Sequence, residues 1–411
     1  MEKKIRYQLR MLALTMLCYL FFYTGRHNFG WASKLLATDL GIAYEKIGWI
    51  SFSMLIGYAV GQFINGNLAD RWSPRHMVVT GGLLSVAVNL LISFSSSYTL
   101  ILILWALNGY FQSMAWAPGG RILVNWWPRH KHGFVFGLYT MAAASSSVLT
   151  YFLSILLVHG NDWRSLFRWP VTFLFVSLIV YAFFSINHPR DKGLEEKEVD
   201  LSKEDSPVLS WKARYRIVLR NRSFMLACLS IGFQSMARYG LLFWLPIYVL
   251  GDSYKAQPEL VWISLLLPIG MAIGAFSFGF ISDRFFYGNR VWTISLGMFS
   301  CALVCLLIFS MPITETGWIA GLFLLAGFFV YGPQSNFWPL CPDLLGNENA
   351  GTGIGVMNTA AYLFAALGEP IIGRFLDYTA SSSILFLLIA AISFISSVTI
   401  LLVRHKPAYT T

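Results

Sequence analysis

The sequence predicts an all-α membrane protein with twelve transmembrane helices, arranged as two pseudo-symmetric six-helix bundles. Three observations lead there: apolar residues make up 56% of the 411 residues, charged residues only 12%, and apolar windows of about 19 residues recur along the chain. Soluble proteins carry about 25% charged residues, so a soluble enzyme is excluded. Twelve spans of about 20 residues would use about 240 positions, which leaves room for short connections only.

Hydropathy places the candidate helices in order along the chain. They cover 9–33, 47–68, 76–95, 98–123, 132–157, 166–187, 222–250, 260–281, 290–311, 317–341, 350–376 and 382–403. The one long polar stretch contains the charge-rich run DKGLEEKEVDLSKED. It predicts an N-terminal bundle at 1–187, a cytoplasmic linker at 188–221 and a C-terminal bundle at 222–411.

The distribution of positive charge predicts the orientation in the bilayer. Of the 30 lysines and arginines, 21 lie in the termini, the linker and the alternate connections on the same side, and 5 lie on the opposite side. The positive-inside rule therefore places both termini in the cytoplasm. We expect a multi-pass protein of the cell inner membrane, a monomer in the lipid bilayer, with no nucleic-acid partner, no cofactor and no metal site.

An internal repeat relates the two halves of the chain. The second candidate helix ends in Gly66-Asn-Leu-Ala-Asp70-Arg71, and the eighth ends in Gly279-Phe-Ile-Ser-Asp283-Arg284, at an offset of 213 residues. Arg26 in the first helix and Arg238 in the seventh are offset by 212 residues. Two landmarks that agree within one residue indicate a duplicated bundle, as in many transporters.

The first of these stretches resembles the signature loop of the major facilitator superfamily, G-x-L-A-D-R-x-x-x-R. The matching residues are Gly66, Leu68, Ala69, Asp70, Arg71 and Arg75. The resemblance implies the major facilitator fold, with loop charges that latch the helix ends in one state of the cycle. Charged side chains beside helix termini suit this role because their hydrogen bonds can form and break. The residues assigned to this gating loop are Asp70, Arg71, Arg75, Asp283 and Arg284.

Arginines inside the membrane are the strongest chemical signal in the sequence. An arginine at mid-bilayer costs at least about 2.5 kcal/mol, so it must face protein or a water-filled cavity. Two guanidinium groups that converge on a central cavity, here from Arg26 and Arg238, would bind an oxyanion bidentately. The alternative is that each arginine pairs with a buried carboxylate, although the helices carry hardly any Asp or Glu away from their ends.

Four stretches around these arginines resemble the organophosphate:phosphate antiporter family of glycerol-3-phosphate and hexose-phosphate exchangers. They are YTGRHNF from Tyr23, GYFQSMAWAPGGR from Gly109, RYGLLFWLP from Arg238 and YGP from Tyr331. The resemblance implies that Arg26 and Arg238 bind substrate and that Tyr23, Tyr331 and Tyr362 line the pocket. Further candidates for substrate binding are Gln62, Gln112, Trp116, Gln334 and Asn358. A glutamine in mid-membrane can equally serve as a helix–helix hydrogen bond.

The eleventh helix carries an unusual carboxylate. Asn358, Tyr362 and Glu369 lie within about 40° of one another on one helical face. Where the glycerol-3-phosphate exchangers have a lysine in the second helix, this chain has Gln62, and it lacks their histidine in the fifth helix. Glu369 is a candidate for proton coupling or for binding a cationic group of the substrate. Alternatively, it pairs with Arg374 or lies at the wet outer end of the helix.

The sequence therefore predicts a secondary active transporter that moves a small organic anion by alternating access. The anion would be an organophosphate, a phosphonate or a similar oxyanion, exchanged for inorganic phosphate or carried together with protons. With two arginines and one glutamate, the pocket favours a monoanion or a zwitterion over a dianionic sugar phosphate. The alternative is a ligand-sensing membrane receptor that signals through a partner kinase.

Overall fold

The computed structural model describes residues 2–68, 72–128, 131–158, 162–194, 211–251, 259–311, 316–346, 349–379 and 381–404. The N-terminal half consists of α1a (Glu2–Phe22), α1b (Asn28–Leu40), α2 (Tyr44–Leu68), α3 (Pro74–Phe94), α4a (Tyr98–Gln112), α4b (Trp116–Trp126), α5 (His132–Val158) and α6 (Ser165–Phe184). The C-terminal half consists of α7 (Arg222–Val249), α8a (Glu259–Ile263), α8b (Leu266–Phe285), α9 (Arg290–Ser310), α10a (Thr316–Tyr331), α10b (Gln334–Leu345), α11 (Ala350–Thr379) and α12 (Ile384–Leu401).

The predicted twelve-helix membrane architecture is confirmed in the described part of the chain. Within it, nine helical segments are long and apolar enough to cross a membrane by length and composition alone. The first, second and eleventh spans fall outside this group. They carry polar and charged residues such as Arg26, Gln62 and Glu369. Between the halves lie a short 3-10 turn (Pro189–Lys192) and a linker helix (Trp211–Arg220).

The first span is broken between α1a and α1b, and the break is stabilised by buried amide side chains. A 3-10 turn (Tyr23–Gly25) replaces the α-helix, and the carbonyl of Gly25 accepts hydrogen bonds from Asn108 (2.8 Å) and Asn89 (3.2 Å). Gln112 donates to the carbonyl of Phe22 at 2.9 Å. An irregular backbone at membrane depth requires such partners because lipid offers none. The break releases the segment that holds Arg26 from regular helical geometry.

The two halves meet closely at the far end of the bundle, which is the end away from both termini and the linker. A Cβ atom on Gly48 of α2 would lie 2.5 Å from the carbonyl oxygen of Glu369 and 2.6 Å from Cα of Pro370. A Cβ atom on Gly373 of α11 would lie 2.5 Å from the carbonyl oxygen of Tyr44. These distances are too short for a side chain, so the glycines permit direct backbone packing of α2 against α11.

A carboxylate from the C-terminal half caps a helix of the N-terminal half at the same end. Asp377 accepts hydrogen bonds from the backbone N–H groups of Tyr44 and Glu45, each at 2.8 Å. These donors belong to the first turn of α2, which has no intrahelical acceptor for them. Lys34 of α1b also donates to the carbonyl of Leu250, beyond α7. We call the Asp377 contact the far-end clasp.

Towards the other end of the bundle, two glycines of the C-terminal half have open space beside them. A Cβ atom on Gly279 of α8b or on Gly355 of α11 would have no atom within 4 Å. The halves therefore pack tightly at the far end, and they also meet at the centre of the molecule, where Arg26 donates to Tyr239.

Candidate functional site

Arg26 lies buried at the centre of the molecule among tyrosines from both halves. Its side chain is 5% exposed, and Nη2 donates to the hydroxyl of Tyr239 at 2.6 Å. The guanidinium carbon lies 4.3 Å from the ring centre of Tyr58, 5.4 Å from Tyr23 and 5.7 Å from Tyr362. Tyrosine faces attract a cation without neutralising it, so the arginine remains charged and oriented.

Arg238 approaches the same cluster from the other half. Its guanidinium carbon lies 4.3 Å from the ring centre of Tyr239 and 4.8 Å from that of Tyr331. Tyr239 therefore touches both arginines. The Nε atoms of Arg26 and Arg238 are buried and have no hydrogen-bond partner. The repeat-related arginines thus converge on one tyrosine and retain free donors.

The structure does not support the alternative in which each arginine is neutralised by a buried carboxylate. Among the residues that the structure describes, the ion pairs are Arg164–Asp39 and Arg290–Asp343, near the helix ends. Neither Arg26 nor Arg238 makes an ion pair with a described residue. Unpaired buried cations are costly and mark a place where an anion can bind.

Glu369 lies in the same cavity as Arg26. The cavity has an empty volume of about 380 Å³, including its mouth, and its lining includes Arg26, His27, Phe29, Trp105, Phe243 and Glu369. Glu369 is 1% exposed, and its Oε2 has no hydrogen-bond partner. The proposed pairing with Arg374 is absent from the described contacts, and Arg374 is exposed. The carboxylate is also not at a wet helix end, since it is buried.

His27 shares this cavity, although sequence spacing places it about 100° away from Arg26 on a regular helix. Arg26 has φ −128° and ψ −49°, outside the helical range, because the first span is broken here. The broken backbone allows both side chains to line one space. His27 contacts the hydroxyl of Ser147 at 3.2 Å.

The other predicted pocket residues separate into three groups. Gln62 donates to the hydroxyl of Tyr58 at 2.7 Å, so it supports the tyrosine that faces Arg26. Gln112 binds the Phe22 carbonyl and Ser85, which favours the helix–helix alternative for this glutamine. Three residues are half-buried. They are Trp116, which stacks on Tyr139 at 4.6 Å, Gln334, whose Oε1 has no partner, and Asn358.

The predicted gating loop is only partly described. Asp70 and Arg71 lie outside the described residues. Arg75 binds the carbonyl of Ala182, and its backbone N–H donates to Asn187 at 3.0 Å, so it is held within the N-terminal half. Asp283 and Arg284 are exposed at the end of α8b. In this state Arg75 ties α3 to the end of α6.

Sequence reasoning missed two residues of the cluster, Tyr58 and Tyr239. Tyr239 follows Arg238 directly, and Tyr58 lies one helical turn before Gln62. Their positions were visible, but the chain has 19 tyrosines, 33 phenylalanines and 15 tryptophans. Aromatic residues are so common in this chain that a functional one can be recognised only when the structure places a buried charge beside it.

Comparison with known families agrees with this architecture. Residues 15–369 match the Major Facilitator Superfamily. The chain belongs to this family. It is therefore a multi-pass membrane protein of a transporter family and not an enzyme. A solved structure of a bacterial homologue of the human lysosomal transporter Spinster has the same fold, with a TM-score of 0.77 and 14% identity over 98% of this chain and 99% of that one.

Several curated members of the superfamily resemble this chain over most of its length. The phosphoglycerate transporter protein of Salmonella typhimurium is 26% identical over 90% of this chain and 84% of its own. The glycerol-3-phosphate transporter of Bacillus subtilis is 25% identical over 87% and 84%. The membrane sensor protein UhpC of Salmonella typhimurium is 26% identical over 90% and 86%. These matches confirm the predicted likeness to organophosphate transporters.

Proposed function

We propose that this protein transports a small organic anion with a phosphate-type oxyanion group across the cell inner membrane. The observation that carries the proposal is the convergence of Arg26 and Arg238 on Tyr239, with both Nε atoms unpartnered. A guanidinium fork binds a tetrahedral oxyanion through paired N–H donors. The similarity to phosphoglycerate and glycerol-3-phosphate transporters supports this substrate class.

Transport would proceed by rocking of the two halves around the central site, as in other transporters built from repeats. With both termini in the cytoplasm, the contacts seen here close the periplasmic end. The halves would then separate at this end and close at the other, which exposes the central site to each side of the membrane in turn. The driving ion is either inorganic phosphate moving in exchange or protons moving with the substrate.

Reconstitution into liposomes tests the proposal and separates the two driving ions. Liposomes loaded with phosphate, or with a pH gradient across them, are offered labelled glycerol phosphate, 2-aminoethylphosphonate and an alkylsulfonate. We expect saturable uptake of at least one phosphorus oxyanion. Dependence on internal phosphate identifies exchange, whereas dependence on the pH gradient identifies symport. The absence of both binding and uptake for all three probes would refute the proposal.

The same experiment distinguishes a transporter from a membrane sensor. A membrane receptor would bind the oxyanion with measurable affinity but would not move it into liposomes under either gradient. Binding without uptake, in protein shown to be folded and correctly inserted, would therefore replace the transport proposal with the sensor proposal. Association with a partner kinase would then be sought by co-purification.

The far-end clasp provides a prediction about alternating access. Asp377→Ala removes the carboxylate that caps the first turn of α2. Loss of a helix cap costs about 1 kcal/mol. Here the cap exists only when the far end is closed, so its loss destabilises only that state. We expect a shift toward the state open at the far end by about fivefold. Thiol labelling of a cysteine introduced at Ser51, from the far side, should rise accordingly, while Glu259→Ala, which removes an exposed carboxylate at the start of α8a, should leave it unchanged.

A further inference from the structure

Glu369 occupies a position that oxyanion binding alone does not explain. A carboxylate beside the arginines reduces the positive charge of the site and weakens the attraction for a phosphate group. The side chain is buried, and Oε2 has no hydrogen-bond partner. A buried carboxylate without a counter-ion is costly, so a cationic ligand that pairs with it would gain both attraction and relief of that cost.

Several aromatic side chains share the cavity with Glu369. Phe29, Trp105 and Phe243 line the same cavity. The indole N–H of Trp244 and the hydroxyl of Ser51 are directed at the carboxyl group as polar neighbours. The other titratable groups that line the cavity are Arg26, His27 and Tyr239. Aromatic faces next to a carboxylate form the environment that binds an ammonium group through cation–π attraction and an ion pair.

Helix geometry shows on which side of Arg26 the carboxylate lies. Tyr362, whose ring faces Arg26 at 5.7 Å, and Glu369 both lie on α11. They are separated by about 10 Å along the helix axis, at 1.5 Å per residue. Glu369 thus lies nearer the far end than Arg26. A compact zwitterion with an ammonium group and an oxyanion joined by a short carbon chain would reach both.

We propose that Glu369 and its aromatic neighbours form an ammonium subsite, and that the transported anion is a zwitterion such as an aminoalkyl phosphonate or an aminoalkyl phosphate ester. The inference rests on the proposed function, since Arg26 and Arg238 hold the oxyanion of the same molecule. It adds the substrate class to that function. The net charge of two arginines and one glutamate matches a ligand whose ammonium group offsets part of its negative charge.

The test compares two probes that differ only at the ammonium group. 2-Aminoethylphosphonate and propylphosphonate have nearly the same shape, and the second has a methyl group in place of the ammonium. Their dissociation constants are measured on the purified full chain by calorimetry. We expect the wild-type protein to prefer the amino compound by at least about tenfold, the range of a hydrogen-bonded charge pair.

Glu369→Gln should abolish this preference while leaving propylphosphonate binding within about twofold of wild type or tighter. Glu369→Asp keeps the charge and should retain part of the preference. Glu259→Gln, which changes an exposed carboxylate at the start of α8a, is the matched control and should retain all of it. Retained propylphosphonate binding also shows that Glu369→Gln is folded.

Other outcomes overturn the proposal in distinguishable ways. If the wild-type protein binds both phosphonates equally, the ammonium subsite is wrong and the oxyanion site stands. If it binds neither, the proposed function itself fails. If Glu369→Gln keeps the preference but loses uptake driven by a pH gradient, Glu369 is a proton carrier and the ammonium subsite is again wrong.

Discussion

Arg26→Lys is expected to weaken binding of a phosphate-type anion by about tenfold to a hundredfold. Lysine places a point charge where arginine presents a fork, and the substitution removes the guanidinium hydrogen bond to Tyr239. Hydrogen bonds to charged groups contribute about 1.5–3 kcal/mol, which corresponds to that range of affinity. Arg238→Lys should cause a similar loss because it contacts the same tyrosine. The dissociation constant for phosphate or propylphosphonate measures both effects.

The control for this prediction is a lysine substitution at an arginine outside the site. Arg374 is exposed on α11, the helix that also carries Tyr362 and Glu369. Arg374→Lys preserves the charge of the protein and should leave the affinity unchanged. Wild-type affinity and uptake in Arg26→Lys and Arg238→Lys would show that these arginines do not bind the anion.

Tyr239 connects the two arginines, so its hydroxyl is expected to act through them. Tyr239→Phe retains the ring that both guanidinium groups face and removes the hydroxyl that accepts from Arg26. The expected loss is therefore smaller than for either arginine, about fivefold to tenfold for a single hydrogen bond. The variant therefore shows how much the hydroxyl contributes to anion binding by orienting the arginines, since it leaves their charge unchanged.

The helices could be predicted from the sequence because hydropathy over about 20 residues is set by the bilayer rather than by tertiary contacts. All twelve predicted spans correspond to helices in the described part of the chain, and most ends agree within a few residues. The pairing of Arg26 with Arg238 was predicted from the repeat offset. Repeats preserve position in the fold, so two residues at one offset indicate symmetric placement.

The details around the first span could not be predicted. The break after Phe22 depends on Asn89, Asn108 and Gln112 from other helices, which supply hydrogen bonds that the local sequence does not show. Regular helical geometry therefore points His27 away from Arg26, and the sequence leaves open whether Gln112 lines the pocket or bonds a neighbouring helix. A polar residue in a membrane helix has either a ligand or a neighbouring helix as partner, and only the tertiary structure distinguishes them.

A side chain placed in the far-end contact of α2 with α11 is expected to stop transport. Gly48→Val would place side-chain atoms where the backbone of Glu369 and Pro370 now lies, 2.5–2.6 Å from the glycine's Cβ position. These backbone atoms belong to the other half, so the clash disappears when the halves separate at this end. We expect Gly48→Val to fold normally but to lose nearly all uptake, because the far end can no longer close.

Gly57→Val on the same helix is the matched comparison, since its Cβ atom would lie 2.1 Å from the carbonyl of Ala106 in the same half. Rocking cannot relieve that clash, so this variant should lose thermal stability by several degrees or fail to fold. Gly48→Val should instead keep its melting temperature and show increased far-side labelling of a cysteine introduced at Ser51. Equal destabilisation of the two variants, with no gain in labelling, would mean that the α2–α11 contact belongs to a static core. A stable Gly48→Val variant with open labelling would show that the two halves separate along this contact during the transport cycle.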